Sequence, residues 1–324
     1  MNNAISTIET FSNELLIEIF EYISPYDLYK AFFNLNRRFN FIIKSLNNFH
    51  VILQEDWDDK RSIPFFASQI SKLIIKHDDF IDFSYYSNIR LLKLSMPTEN
   101  QCNAIQPSLL PYLEYLYISN FFFADHSKQL CRLIFSPAFS YLRICQIDRI
   151  TLDESRSYLF SPLHQLTISP STWKSNIYQY IFNACPNLVD LRIIRLRNLP
   201  FKLSSNIICS HTSLRCLYIH FYSIEDDWYD HIEWLLSNVP NLENFILIID
   251  QNELNFEFPF SSLADLLMQH VPNLINFKTK IPLNNFLSND LNTIRRFHPL
   301  FTTVKFYGYI NKNLNSYLLI TSQK

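Results

Sequence analysis

Glycine is almost absent from this chain of 324 residues, in which Gly308 is the single example. Phosphate-cradling loops, dinucleotide-binding turns, kinase loops and nucleophile elbows all need several glycines, because their backbone must turn sharply or approach a ligand closely. The sequence therefore excludes the classes of enzyme that depend on any of these loops.

Paired cysteines and clustered histidines are missing as well. The six cysteines form no C-x-x-C pair, and the nine histidines form neither an H-E-x-x-H motif nor a set with zinc-ligand spacing. Cys209 and His211 lie two residues apart, but a buried thiol beside a loop histidine is the simpler interpretation. We therefore predict no catalytic residue, no metal, no cofactor, and reduced thiols that are mostly buried.

Long apolar runs and concentrated positive charge are also lacking. No run of 18 apolar residues is present, and the first ten residues have neither the basic start nor the apolar core of a secretory signal. The net charge is −2, and Arg37-Arg38 and Arg295-Arg296 are isolated pairs, which is typical of solvated helix faces. We expect no membrane and no nucleic acid as partner, and a cytoplasmic or nuclear location.

Apolar residues make up 48% of the chain and aromatic residues 16%. This composition is typical of a folded protein, since it supplies enough apolar surface to offset the entropy lost on folding. The length allows one large domain or two smaller ones.

Three short amphipathic segments follow one another between residues 11 and 46. Ser12, Ser24 and Asn36 each stand where a helix N-cap is favoured, and Pro25 fits the first position of the second helix. Each cap precedes a stripe of apolar residues at helical spacing. The first stripe is Leu15, Leu16, Ile19, Phe20 and Ile23, the second is Leu28, Ala31, Phe32 and Leu35, and the third is Phe39, Ile42, Ile43 and Leu46. We therefore predict three helices.

The order of residues in this segment resembles the F-box family. That family has an acid and a run of aliphatics, then Ser-Pro-x-Asp-Leu, then a basic pair before an aromatic residue. The corresponding stretches here are 14–23, 24–28 and 36–39. The Leu-Pro pair that usually precedes the acid is Phe11-Ser12 in this chain, and Phe39 stands in place of the usual Trp.

The resemblance implies a module that binds the Skp adaptor of a Skp–cullin–F-box ubiquitin ligase, and through the adaptor a cullin. Apolar side chains on rigid helices suit helix-in-groove docking, and three short helices cannot bury all of theirs among themselves. The residues that the resemblance assigns to adaptor binding are Glu14, Leu15, Leu16, Ile19, Phe20, Ile23, Pro25, Leu28 and Phe39. The alternative is that the rest of the chain covers this surface and the helices cap a repeat domain.

A pattern of aliphatic-x-x-aliphatic-x-aliphatic recurs along the rest of the chain. Nine copies begin at Ile70, Ile89, Leu113, Leu142, Leu163, Leu188, Leu214, Leu242 and Leu274, and a degenerate tenth begins at Thr303. Pro-Asn turns lead into three of these copies, after helical stretches at 177–184, 228–237 and 263–270. Each unit therefore reads as helix, proline turn and short strand.

These units resemble leucine-rich repeats of the irregular kind that follows F-boxes. One strand–helix unit cannot bury its own apolar edge, so stacked units share a continuous core. We predict an α/β fold with an F-box-like three-helix domain over 1–50, a linker over 51–64 and a leucine-rich-repeat-like solenoid, or horseshoe, over 65–324. An ordinary α/β domain with strands of similar pattern is the alternative.

Strand residues that alternate with the buried positions would line the concave face of such a horseshoe. Tyr and Arg in this set are side chains that often contribute strongly to binding at interfaces. The row that we predict to bind a protein target is Lys93, Tyr117, Gln146, Asp148, Arg192, Tyr218, His220, Lys278 and Lys280.

These observations together favour a non-catalytic substrate receptor of a ubiquitin ligase, in which the helices bind the adaptor and the repeats bind an unidentified protein target. The mechanism would be proximity, since a bound target is held near a recruited conjugating enzyme. A repeat-protein scaffold without a ligase role is the first alternative. An enzyme whose site is assembled only by folding is the second.

Overall fold

The computed structural model describes residues 8–53, 62–76, 81–119, 124–148, 160–169, 177–196, 210–221, 228–250, 259–282, 288–301, 304–307 and 317–321. The chain divides into two compact units. Unit 1 comprises Met1–Phe121 with Phe139–Leu142, and unit 2 comprises Phe122–Ala138 with Arg143–Lys324. Both units combine helices with parallel strands, so the predicted mixed α/β class is confirmed.

The three helices at the start of unit 1 are α1 (Asn13–Glu21), α2 (Pro25–Phe32) and α3 (Arg37–Ser45). The side chains of Ser12, Ser24 and Asn36 each accept a hydrogen bond from a backbone N–H of the first turn, as their N-cap positions predict. The third apolar stripe is wholly buried, as predicted. The second stripe is wrong in part: α2 ends at Phe32, and both Ala31 and Leu35 are exposed.

Aromatic side chains hold the three helices together. The Phe20 ring lies 4.8 Å from that of Phe32 and 5.9 Å from that of Phe39, measured between centroids. Such tilted contacts add to the energy gained by burying the rings. Phe39 is therefore a core residue of this bundle.

Unit 1 continues with four parallel strands that pair in chain order. The remaining elements of unit 1 are β1 (Phe49–Leu53), α4 (Ser62–Phe66), β2 (Ile70–Ile75), β3 (Leu91–Ser95), α5 (Glu99–Asn103) and β4 (Tyr115–Ser119), with short 3-10 turns at Ile8–Thr10, Ala67–Gln69 and Phe83–Tyr85. The ends of the predicted linker therefore belong to regular elements, since residues 51–53 complete β1 and residues 62–64 begin α4. Residues 54–61 lie outside the described residues.

Unit 2 contains six further parallel strands, also paired in chain order. Its elements are α6 (Ala124–Ile134), β5 (Ile144–Asp148), β6 (Gln165–Ser169), α7 (Ile177–Ala184), β7 (Asp190–Leu196), β8 (Cys216–Phe221), α8 (Trp228–Ser237), β9 (Asn244–Ile249), α9 (Phe260–His270), β10 (Asn276–Pro282), α10 (Ser288–Phe297), a 3-10 turn (Pro299–Phe301), β11 (Val304–Tyr307) and β12 (Tyr317–Thr321). The helices predicted before the Pro-Asn turns correspond to α7, α8 and α9, the last of which begins three residues earlier than predicted.

The last two strands of unit 2 run differently from the others. β12 pairs with β10 antiparallel, and β11 pairs with β12 antiparallel. The degenerate tenth copy of the repeat therefore does not continue the parallel series, because its Phe306 lies on β11. Thr303 and Gly308, the other two positions of that copy, lie outside the described residues.

The repeat pattern corresponds to the buried face of the strands. Every position that defines the nine copies is buried, from Ile70 in the first copy to Thr279 in the last. In seven copies the N–H of the first aliphatic donates to the carbonyl three residues earlier, as Leu188 does to Cys185 at 3.0 Å. This turn directs the following strand so that alternate side chains enter the core.

Candidate protein-interaction surfaces

The helix α1 buries one edge of its apolar stripe and leaves the other open. Leu16 and Phe20 are fully buried, whereas Leu15 is 41% exposed and Tyr22 is 87% exposed. Ile19 and Ile23 are half-buried between these two groups. Leu15 and Ile19 on α1, Tyr22 at its C-cap and Ile23 directly after it follow i, i+4, i+7 and i+8 spacing; we call these four residues the α1 face.

The residues predicted to bind an adaptor are thus divided between surface and core. Glu14 is exposed with the α1 face, but five of the nine are buried: Leu16, Phe20, Pro25, Leu28 and Phe39. Buried side chains cannot touch a partner directly in this conformation; they fix the helices that carry the exposed ones. Tyr22, Leu35 and Phe41 are exposed apolar residues of the same unit that are not among the nine.

Arg38 fastens the N-terminal segment to α3. Its Nε donates to Asn13 Oδ1 at 2.8 Å, its Nη1 to the Glu9 carbonyl at 2.7 Å and its Nη2 to the Phe11 carbonyl. The interpretation of Arg37-Arg38 as a solvated pair is therefore wrong for Arg38. A guanidinium group suits this position because its five N–H donors form a rigid fork that can reach several acceptors at once.

Glu14 has a lowered pKa, although its side chain is exposed. The main cause is hydrogen bonding to its own backbone N–H, followed by the Ser12 hydroxyl and the nearby positive charge of Arg38. Acids at the start of a helix also interact favourably with its positive end. The ionised carboxylate is therefore the form that borders the α1 face.

Part of the apolar surface of the helices is covered by the chain that follows them. The Phe65 ring of α4 lies 4.5 Å from that of Phe33 and 5.7 Å from that of Tyr29. Gln69 Nε2 donates to the carbonyls of Ile43 and Leu46, at 2.8 Å and 2.6 Å. These contacts involve α2 and α3, whereas the α1 face keeps its exposure.

The residues of the predicted target-binding row alternate with buried positions on every strand concerned. In unit 1, Lys93 on β3 is the register partner of Tyr117 on β4. In unit 2, a transverse row of register partners runs from β5 to β10: Gln146, Thr167, Arg192, Tyr218, Ile246 and Lys278. His220 and Lys280 are both partners of Ile248, two residues further along their strands. Asp148 on β5 also faces this side.

Two ion-pair groups stand on this face of unit 2. Asp190 binds the Arg192 guanidinium through both carboxylate oxygens, with a shortest distance of 2.8 Å, and this bond raises the pKa of Arg192. Asp250 lies 2.6 Å from His220 Nε2 and 3.5 Å from Lys280 Nζ. Burial raises the pKa of Tyr218, with a further contribution from Asp250. The face therefore mixes both signs of charge.

A second row of the same face was absent from the sequence analysis. Asp190, Cys216, Asn244 and Asn276 are register partners two positions before the Arg192 row. Asn276 Nδ2 donates to Asn244 Oδ1 at 2.7 Å, and Asn244 Nδ2 donates to Cys216 Sγ at 3.4 Å. These residues could have been predicted from the sequence. Side chains two residues apart in a strand share a face, so the third position of each repeat, such as Asp190, lies on the same face as the fifth, such as Arg192.

The buried histidines of unit 2 are structural in their contacts. His211 Nε2 forms a hydrogen bond with the Cys185 carbonyl oxygen at 2.9 Å. Cys209, which stands two residues before His211 in the sequence, lies outside the described residues. His231 shares a hydrogen bond with the Tyr178 hydroxyl. Burial lowers the pKa of His231 to about 3, so its ring is neutral near neutral pH.

Over the part of the chain that the structure describes, five cysteines are free thiols, and four of these are buried: Cys102, Cys131, Cys145 and Cys185. No group of three His, Cys, Asp or Glu side chains in those residues is arranged to hold a metal ion. No helix among them is long and apolar enough to cross a bilayer.

Comparison of the whole chain with protein-family models and with curated proteins gives no match.

Proposed function

We propose that this chain is a non-catalytic substrate receptor of a Skp–cullin–F-box ubiquitin ligase. In this proposal the first three helices are an F-box that binds a Skp-type adaptor, and the parallel strands belong to an irregular leucine-rich-repeat solenoid that binds a protein target. The observation that carries the proposal is the open α1 face, which stands on a helix capped and ordered as in the F-box pattern. Exposed apolar side chains at helical spacing are what helix-in-groove docking requires.

The repeat strands support the second half of the proposal. The positions that define the nine repeat copies are all buried, and the alternate positions form transverse rows that are mainly polar and aromatic. Such rows suit an extended target, because neighbouring strands offer contacts at a regular spacing. Ubiquitin transfer would then follow from the high local concentration of target lysines beside the conjugating enzyme.

Substitution on the α1 face tests adaptor binding. The double variant Leu15→Asp with Tyr22→Asp places two charges on exposed positions, so the core stays intact while docking loses its apolar contacts. We expect its affinity for a recombinant Skp-type adaptor, measured by calorimetry, to fall by about 100-fold or more, since two central contacts are lost.

The matched control is Tyr85→Asp, which changes another exposed aromatic residue of unit 1, 61% exposed, away from α1. Its affinity should equal that of the wild type. The F-box proposal is rejected if the wild-type chain does not bind the adaptor, or if the double variant binds as tightly as the control.

The packing of α2 on α4 favours a second candidate, a repeat scaffold capped by its N-terminal helices. Phe65 and Phe66 contact Tyr29, and Gln69 ties α3 to the following turn, as a cap would. A cap needs no open apolar face on α1. Adaptor binding through Leu15 and Tyr22 therefore separates the two candidates.

A further inference from the structure

Four successive members of the transverse row of unit 2 begin and end with a cation and have an aromatic and an aliphatic side chain between them. Arg192, Tyr218, Ile246 and Lys278 are successive register partners on β7, β8, β9 and β10. Adjacent strands lie about 4.8 Å apart, so the ends of the row are about 14 Å apart at the backbone. We call these four residues the cation row.

Both cations of the row are accessible. Arg192 is held by Asp190, but 49% of its side chain remains exposed. Lys278 is exposed and forms no ion pair within the described residues. The bidentate bond to Asp190 fixes the direction of the guanidinium, so that less side-chain entropy is lost when it binds a further anion.

The middle of the row is suited to an apolar side chain. Tyr218 and Ile246 are half-buried, and Ile248 lies two residues beyond Ile246 on the same face of β9. Tyrosine supplies a large contact area at small entropic cost. An apolar group placed here would be flanked by the two cations.

We propose that the cation row binds an extended segment of the target with two carboxylate side chains four residues apart and an aliphatic or aromatic side chain midway between them. An extended chain rises about 3.4 Å per residue, so residues i and i+4 are about 14 Å apart, the span of the row. Lys278 supplies a positive charge for one carboxylate. At the other end the charge of Arg192 is balanced by Asp190, but its Nη1 group makes none of the bonds to Asp190 and can donate to a second carboxylate. This inference rests on the proposed receptor function, and names the class of target.

Fluorescence polarisation with labelled peptides tests the inference on the full-length chain. The probe carries Glu-Ser-Phe-Ser-Glu between neutral flanks, and the comparison peptides carry Lys-Ser-Phe-Ser-Lys and Glu-Ser-Ser-Ser-Glu. We expect the probe to bind about 10-fold or more tightly than either comparison peptide, because each lacks one type of contact. Equal binding of all three peptides, or binding of none, overturns the inference.

A charge reversal makes the test specific to the row. The variant Lys278→Glu should lose affinity for the probe and prefer peptides with one Glu end and one Lys end, tested in both orders. Loss of folding cannot produce such a change of preference.

The matched control is Arg296→Glu, at an exposed position of α10 in the same unit. It should keep the wild-type preference. If the variant Lys278→Glu still prefers the probe, the inference is overturned.

Adaptor binding is measured on the same preparations. If the wild-type chain binds the adaptor normally but shows no preference among the peptides, only the assignment of the cation row as the target site is rejected. Loss of adaptor binding by the wild-type chain removes the receptor function on which the inference rests.

Discussion

His231 and Tyr178 form a polar contact in the interior of unit 2. Tyr178 is fully buried and His231 is 5% exposed. The two side chains share a hydrogen bond, and their rings meet edge to face at 5.0 Å. A buried polar group is tolerated when it is bonded, but adding a charge to it is costly because no water solvates the ion.

This contact predicts that the chain is less stable in mild acid. The folded state keeps His231 neutral down to about pH 3, while the unfolded state protonates it below its ordinary value of 6.5. The stability contributed by the neutral ring is thus complete above about pH 6.5 and is lost as the pH falls toward 3. Between these two values, we expect protonation of His231 in the unfolded chain to lower the free energy of unfolding by about 1.4 kcal/mol for each unit that the pH falls.

Urea unfolding of the wild type and of His231→Gln at pH 7.5, 6.0 and 5.0 measures this effect. The variant should lose stability less steeply toward acid. Tyr178→Phe is the control, since it removes the hydrogen bond but leaves the buried ring, and so should keep the steep dependence. Identical slopes for the wild type and His231→Gln would contradict the prediction.

At the scale of elements, Arg38 joins α3 to the segment that leads into α1, which lies 25 or more residues earlier in the chain. It reaches the 3-10 turn at Glu9, the residue before the α1 cap at Phe11 and the first residue of α1 at Asn13. Asn36 adds a bond from its Nδ2 to Glu9 Oε1 at 2.9 Å. These side-chain hydrogen bonds restrain the entry to α1.

Arg38→Ala should therefore loosen the entry to α1. We expect a loss of about 1–3 kcal/mol in the free energy of unfolding, since several hydrogen bonds to a charged donor are removed. Hydrogen exchange of the amides at residues 9–13 should become faster. Arg37→Ala is the matched control because Arg37 is an exposed neighbour on the same helix; equal effects of the two substitutions would show that Arg38 has no special role.

At the scale of the whole molecule, the first helices and the first strands belong to one compact unit. The contacts of Phe65 with Tyr29 and Phe33, and those of Gln69 with α3, cross the predicted boundary after residue 50. The three helices therefore cover part of the apolar start of the strand series within unit 1.

Deletion of residues 1–46 should consequently harm the remaining chain. Phe65 and Phe66 lose their cover, which corresponds to about 3 kcal/mol or more of lost burial. We expect a lower urea midpoint by circular dichroism and increased binding of an apolar dye. An unchanged midpoint would indicate that the helices are an independent domain, as the boundary at residue 50 predicts.

The sequence alone was sufficient for the first three helices, for α7, α8 and α9, and for the inward face of the nine repeat strands. N-cap chemistry at Ser12, Ser24 and Asn36 is local, and the repeat period places Leu191 and Ile193 on one side of β7 and Arg192 on the other. Local rules of this kind depend only on neighbours within a few residues. For this reason the nine buried copies and the three helices were predictable.

Only the tertiary structure decided which parts of those elements face outward and what they touch. Leu15 and Leu16 belong to the same predicted stripe, yet one is exposed and the other buried, because α1 packs on α3 along one edge alone. The bonds of Arg38 and the pairing of His220 with Asp250 join residues 25 or more positions apart. Such contacts depend on the path of the chain between the two residues, which local sequence does not determine. The pattern of residues therefore determines the strands, whereas the fold determines which surface the strands present.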